Sequence, residues 1–376
     1  MKKITLLALM LSISVWAFAQ VTTPPGGNNQ KSINTQYIGA LAYVTVTYNS
    51  PDVHGPNGED RTGKIWGQLV PYGLNNLGFG TATAAPWRAG ANENTTFEFS
   101  HDVLVQGKPL KAGKYGFHVI AEASGPWTLI FSRNSTAWGS FFYNEKEDAL
   151  RVQATPEPSE FHEWLTYEFI DRQPESATVA LMWENVKLPF KIEVPKMKEL
   201  YLATMRNELQ NAPGFNYQSW VTAANYCVQN DVNLEEALTW ADAAISAPFI
   251  GQENFTTLQT KSLVLQKLNR TAEAQATMEK AIKHATANAF AIHAYGRQLI
   301  AAGEKKKAME IFQYNVERFG EAWPTHVGMA RGYAALGQYD EALKHAEKAL
   351  AQAPDELNRN SLKQAIEKLK KKEDIN

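Results

Sequence analysis

Cysteine is almost missing from this 376-residue chain, with Cys227 the only one. One thiol cannot close an internal disulfide, and Cys227 lies too far from the amino terminus to carry a lipoprotein's acyl group, so stability has to come from packing. Cys227 itself is expected to be a buried helical residue. Charge of one sign is lacking as well: the formal net charge is −2. Such a balance supplies no basic surface for a phosphate backbone, and nucleic acid is therefore a poor partner. Lys368 to Lys372 is followed by Glu373 and Asp374 and reads as the solvated end of a helix. No apolar run reaches the roughly 20 residues a membrane-spanning helix needs, so no stable anchor is expected.

Missing motifs narrow the chemistry further. Neither Gly-x-x-x-x-Gly-Lys-Ser/Thr nor a strand-bound Gly-x-Gly-x-x-Gly is found, which disfavours nucleotide-dependent chemistry, and no cofactor is expected. No His-x-His, His-x-x-x-His or His-Glu-x-x-His places two ligands together, so no metal is assigned. Gly-x-Ser-x-Gly is absent too. Ser140, after Trp138-Gly139, has no readable base, and the catalytic residues, if any, are unknown.

What is present begins with a leader. Met-Lys-Lys precedes an apolar run from Ile4 to Ala17, and Ala17-Phe18-Ala19 before Gln20 is a small-x-small cleavage site; residues 1–19 are thus expected to be a secretory signal peptide, delivering the chain to the periplasm or beyond. Residues 20–32 are Thr, Pro, Gly, Asn and Gln, which bury too little apolar surface to offset ordering entropy, and predict a flexible spacer. The remaining length and the 44% hydrophobic content predict two folded units.

From 33 to 194 the chain consists of short aromatic and β-branched runs. Tyr43–Tyr48, Thr95–Phe99, Trp127–Phe131, Thr166–Phe169 and Thr178–Trp183 alternate with period two, each with one buried face. The turn Gly107–Gly113 leads into Lys114–Ile120, and Ser124-Gly-Pro126 marks the next turn. Eight or more strands in that length predict an all-β sandwich or jelly-roll-like domain, with a closed barrel as the alternative. Past Pro195 the period turns helical: Ala237, Ala274, Ala308 and Ala342 lie 37, 34 and 34 residues apart. That period is the helix-turn-helix repeat spacing. Gly332-Tyr333-Ala-Ala-Leu-Gly337-Gln-Tyr339-Asp-Glu-Ala342, then Ala349 and Pro354, resembles the tetratricopeptide repeat; Asn269 stands where the turn glycine is usual. Residues 195–376 are thus expected to be an all-α domain of about four such hairpins, led by a helix near Met197–Gln210 that caps the stack.

The densest site-like chemistry runs from Trp87 to Phe99. With Ile65–Tyr72, Lys108–Tyr115 and Trp138–Tyr143, it resembles a family of exported bacterial proteins classed only as a domain of unknown function, over about Tyr48 to Val194. The family core, Arg-x-Gly-Ala-Asn-Glu-x-Thr, is matched by Arg88, Gly90, Ala91, Asn92, Glu93 and Thr95, and implies membership without a reaction. The chain departs from the pattern at 73–86, an added loop expected to cover or reshape the site. Arg88 offers a planar fork for a carboxylate, phosphate or sugar hydroxyl; a purely structural alternative pairs Arg88 with Glu93 and lets Asn92 tie down its own turn. His54, Arg61 and Lys64 sit in the loop after a strand. His118 points away from Phe117 and Val119. Of the tryptophans, core packing accounts for most, and Trp87 and Trp138 are the two placed at a binding surface.

The reading favoured on these grounds is non-enzymatic: an exported binding or scaffold protein whose β domain takes a small or polymeric ligand and whose repeats take a protein or peptide partner. Its rivals are an envelope hydrolase or metal-dependent enzyme, with His54 or Glu93 as acid-base and Arg88 as electrostatic stabiliser, and a carbohydrate-binding module with a Trp87 or Trp138 platform.

Overall fold

The computed structural model describes residues 29–55 and 57–376, so the expected leader and most of the spacer lie outside the described residues. The chain divides after Leu200 into two units. The first is a two-sheet antiparallel sandwich whose strands are numbered in chain order. One sheet runs β1 (Gln30–Ile38), β2 (Ala42–Ser50), β3 (Thr95–Phe99), β6 (Gly113–Ile120), β7 (Trp127–Ser132), β8 (Asp148–Ala154); the other runs β5 (Lys108–Leu110), β4 (Val103–Val105), β10 (Ser176–Glu193), β9 (Glu157–Gln173). Most sheet neighbours are also neighbours in sequence, the hairpin order the turn residues predict.

Period-two alternation supplies the core. Val44, Val46 and Tyr48, Phe97 and Phe99, Phe117 and Val119, and Leu129 and Phe131 all point inward and are buried. Tyr167 and Phe190 meet them from the opposite sheet, with Phe190 5.7 Å from Phe97 and 5.6 Å from Phe117 between ring centroids. Offset and edge-to-face rings at this spacing attract beyond their buried area. Two details depart from the sequence reading. β1 starts at Gln30, inside the stretch read as spacer, because ladder pairing with β2 organises polar residues that composition alone leaves disordered. The stretch read as a turn at 107–113 contains β5, which folds back on β4 within the second sheet before the chain returns to the first at β6.

The second unit holds α1 (Met197–Leu209), α2 (Tyr217–Asn230), α3 (Leu234–Ser246), α4 (Phe255–Lys267), α5 (Thr271–Lys283), α6 (Ala289–Ala301), α7 (Lys305–Phe319), α8 (Trp323–Ala335), α9 (Tyr339–Ala351) and α10 (Glu356–Lys370). α2–α3, α4–α5, α6–α7 and α8–α9 are four hairpins, flanked by α1 and α10, and the first helices α2 and α4, and α6 and α8, also touch. Ala237, Ala274, Ala308 and Ala342 are all buried, each on the second helix of its hairpin. Their missing bulk lets the helices close up. Asn269 takes φ +60°, the same left-handed turn that Gly303 and Gly337 make at +82° and +76°, which asparagine tolerates.

Phe312 on α7 is fully buried between glycines: a Cβ on Gly296 or Gly328 would lie 2.3 or 2.7 Å from its ring. Small residues on α6 and α8 therefore make the slot that the ring fills. Phe312→Ala is expected to cost the helical unit about 3–5 kcal/mol, read as an earlier loss of far-ultraviolet helical signal in a urea titration. A value below about 1 kcal/mol would mean the slot collapses without its wedge.

Candidate functional site

Backbone pairing decides where the Arg88 run goes. Thr95 pairs with Phe117 of β6, and Trp87 pairs with Val119 two residues further on, exchanging hydrogen bonds of 2.9 and 2.8 Å. Residues 88–94 must therefore leave the sheet as a loop. Ala89 and Asn92 in it adopt φ +52° and +56°, a conformation unfavourable for alanine. Ala89 is held by its carbonyl, which accepts from Thr95 Oγ1 at 3.0 Å and Tyr167 Oη at 2.8 Å. Gly90 passes so close that a Cβ would sit 2.6 Å from Thr95 Oγ1. Ala91 N–H donates to the Asn49 carbonyl at 3.0 Å, and Asn49 Nδ2 donates to Glu93 Oε2 at 2.8 Å.

The motif thus splits by role. Glu93 is exposed and fastens the loop to β2, and Thr95 is buried and fastens it to itself. The Arg88–Glu93 pair of the structural alternative is not formed. Arg88 Nη1 donates to the Asn92 carbonyl at 2.7 Å, its guanidinium lies 5.0 Å from the centre of the Phe141 ring, and Gly139 packs flat against it, where a Cβ would come within 2.3 Å of Cζ. Arg88 makes no ion pair with a carboxylate among the described residues. Burial pushes its pKa down.

Arg88, Arg61 and Asn92 open onto a cavity of about 380 Å3 whose apolar wall includes Leu69, Val70, Trp87 and Trp183. The loop at 73–86 forms part of the rim through Asn75, Leu77 and Ala85. It is fixed by Thr81 and Ala82 N–H groups donating to the Phe141 carbonyl at 3.0 Å, and Phe79 packs edge-on to the Phe141 ring. Behind the wall four indoles gather: Trp87 stacks on Trp183 at 6.2 Å, and Trp66 sits 4.9 Å from Trp127. The Nε1 atoms of Trp66 and Trp183 are buried without a hydrogen-bond partner.

His118 lies on the face of β6 opposite Phe117 and is buried there. Its Nδ1 is 2.9 Å from Oγ of Ser140, which also lines the cavity. Burial first and the Arg88 charge second lower its pKa to about 3, so it is neutral at pH 7. The sequence offered Ser140 no base because the partner lies on a separate strand. Gly139, Phe141 and Trp183 were likewise missed, and only a chain crossing joins them to Arg88.

His54 and Lys64 are elsewhere. His54 is exposed, with Nδ1 2.8 Å from Glu163 Oε2, and that hydrogen bond and charge raise its pKa. Lys64 is exposed and reaches the Asp60 carbonyl at 3.4 Å, while Arg61 pairs with Glu59 at 3.0 Å and Asp52 at 3.4 Å. Neither His54 nor Glu93 lines the cavity with Arg88, as the hydrolase alternative requires, and no group of three His, Cys, Asp or Glu suited to a metal occurs among the described residues. Trp138 is 55% exposed, but Trp87 turns inward and no ring contact joins the two, so they make no shared platform. Trp164, assigned to packing, is also exposed, at 41%.

Residues 29–192 match the family model described as protein of unknown function (DUF2911), and residues 323–356, which hold α8 and α9, match the tetratricopeptide repeat model. The chain carries a domain of the former kind followed by the latter. Among solved structures it is similar to YrrB, described as a tetratricopeptide repeat protein with an unusual peptide-binding site, at 20% identity over 45% of this chain and 88% of that one, TM-score 0.30. It is similar also to a tetratricopeptide repeat protein from Parabacteroides merdae ATCC 43184, at 18% identity over 46% and 68%, TM-score 0.33. A thermophilic repeat protein of Thermus thermophilus is 19% identical over 44% and 88%, TM-score 0.33. No curated protein matches the chain.

The buried, neutral His118 gives stability a pH dependence. In the unfolded chain it takes a proton near pH 6.5, in the folded one only near 3. Between those values the unfolded state binds more protons, so stability falls as pH falls, by about 1.4 kcal/mol per unit for one proton. Above that window the effect vanishes. His118→Gln, which keeps a hydrogen-bonding partner for Ser140, is expected to reduce the acid slope of urea stability by close to one proton. An unchanged slope would show that the ring is protonated when folded.

Proposed function

We propose that this is an exported, non-enzymatic protein with two recognition modules, the β sandwich taking a small or polymeric ligand in the Arg88 cavity and the repeats taking a protein or peptide partner. The observation that carries the first half is Arg88: the Asn92 carbonyl of its own loop and Gly139 and Phe141 of the crossing chain fix its guanidinium at a cavity, and none of them is an acid. A purely structural arginine is normally paired where it is desolvated, since an uncompensated charge is costly to bury. The second half is supported by the tetratricopeptide repeat match and by a groove of about 280 Å3 along the first helices α6, α8 and α10, where Arg297 and Arg331 stand on successive helices beside Trp323. Two cations and an indole suit a segment bearing carboxylates. Export rests on the leader, and predicts an envelope-fraction protein whose mature amino terminus is Gln20.

The capture experiment uses envelope extract with the wild type, Arg88→Gln and Arg297→Glu. Protein capture is expected to survive Arg88→Gln and to fall at least tenfold with Arg297→Glu. Equal capture by all three, or none by any, would remove the repeat half of the reading.

A second reading, a serine hydrolase, is favoured by the 2.9 Å contact between His118 and Ser140. Against it stand a His118 pKa near 3, far from the value that suits a base at neutral pH, and the want, among the described residues, of a carboxylate bonded to His118 to orient it. A fluorophosphonate probe is expected to leave the protein unlabelled. Labelling that Ser140→Ala abolishes would reverse the preference.

A further inference from the structure

We infer that the ligand of the β-domain cavity is a small organic carboxylate with an apolar or aromatic body, bound by the Arg88 guanidinium; this rests on the binding reading above and names its chemistry. Three observations converge on it. First, the cavity lining holds two arginines and neither aspartate nor glutamate. Arg61 spends its charge on Asp52 and Glu59, whereas Arg88 has only the Asn92 carbonyl as an acceptor, on Nη1. Its Nε and Nη2 have no acceptor among the described residues, and they form one edge of the planar fork that a carboxylate meets with two parallel hydrogen bonds.

Second, Arg88 is prepared before any ligand arrives. The close approach of Gly139 and the face of Phe141 leave the guanidinium little rotational freedom, so little entropy remains to be lost on binding. His118, which feels the Arg88 charge, is neutral and does not compensate it. Third, Leu69, Val70, Pro71, Pro86 and the two indoles give the cavity an apolar wall, while the other polar side chains lining it, Asn29, Asn75, Asn92 and Ser140, are uncharged. At about 380 Å3 the space lies within the range of small-molecule sites and suits a body of one ring. A fully hydrated phosphate would leave those walls unused, which is why the carboxylate is the favoured anion.

The test titrates phenylacetate, its neutral isostere phenylacetamide and inorganic phosphate into the full chain, following the indole N–H resonance of Trp183 and the melting temperature. Phenylacetate is expected to bind at least tenfold more tightly than the amide and than phosphate. Arg88→Gln is expected to erase that preference, and Arg88→Lys, which keeps the charge without the fork, to restore it only in part. Because Arg88 also holds the Asn92 carbonyl, a second variant, Ala91→Phe, plugs the cavity from its half-exposed rim and should abolish phenylacetate binding with Arg88 intact. Amide and acid binding equally would overturn the carboxylate while leaving the cavity a binding site. Phosphate alone binding would overturn it in favour of an inorganic anion, and no binding by any probe at millimolar concentration would overturn both.

Discussion

The β domain depends on one mismatch of lengths: Trp87 and Thr95 occupy positions two residues apart along β6, although eight residues separate them in their own strand. Register along β6 is fixed by burial, because a one-residue slip would turn Phe117 and Val119 out of the core. The surplus must then be ejected, and it emerges as the loop 88–94. A left-handed alanine costs on the order of 1–2 kcal/mol; the two side-chain hydrogen bonds to the Ala89 carbonyl offset a similar amount, at about 1 kcal/mol each. Strain and fastening balance locally, and what they leave behind is an arginine held at the cavity that Trp87 also lines.

The outer face of the sheet is a second interior. His118 and Ile130 face away from the sandwich core and are nonetheless buried, because the chain at 133–143 lies across β6. Gly116 permits the crossing, since a Cβ there would meet the Asn134 carbonyl at 2.4 Å. An outer sheet face that ordinarily meets water is thereby roofed, and the serine and arginine under the roof sit in a partly desolvated space. The loop at 73–86 continues that roof through its bonds to Phe141.

Those parts of the molecule governed by local periodicity were legible in the sequence. Tyr43–Tyr48 and Thr95–Phe99 alternate because one face is core, and the alanines at 237, 274, 308 and 342 recur because each hairpin repeats the same close approach. Even Asn269 kept the left-handed turn of the glycines it replaces. The site was only half legible. The motif drew attention to the loop, yet it could not separate Arg88, which lines a cavity, from Glu93 and Thr95, which hold the backbone. That division is set by Asn49 and Tyr167, partners 44 and 78 residues distant from the atoms they hold. His118 and Ser140 met for the same reason, through a chain crossing that no short-range pattern encodes.

Arg88 and His118 also constrain one another. Burial is the main reason the imidazole stays neutral; the arginine, which cannot release its proton at any ordinary pH, adds to it, because a protonated imidazole would place two cations in a partly dry space. Neutrality lets Nδ1 share a hydrogen bond with Ser140, which locks the roof to the sheet. The coupling is reciprocal: an anion settled on Arg88 would cancel part of the field that holds the imidazole deprotonated, and a proton on the imidazole would strengthen the hold on that anion by the same factor. The low basicity that makes His118 a poor general base is thus a consequence of its burial and of the unneutralised arginine beside it.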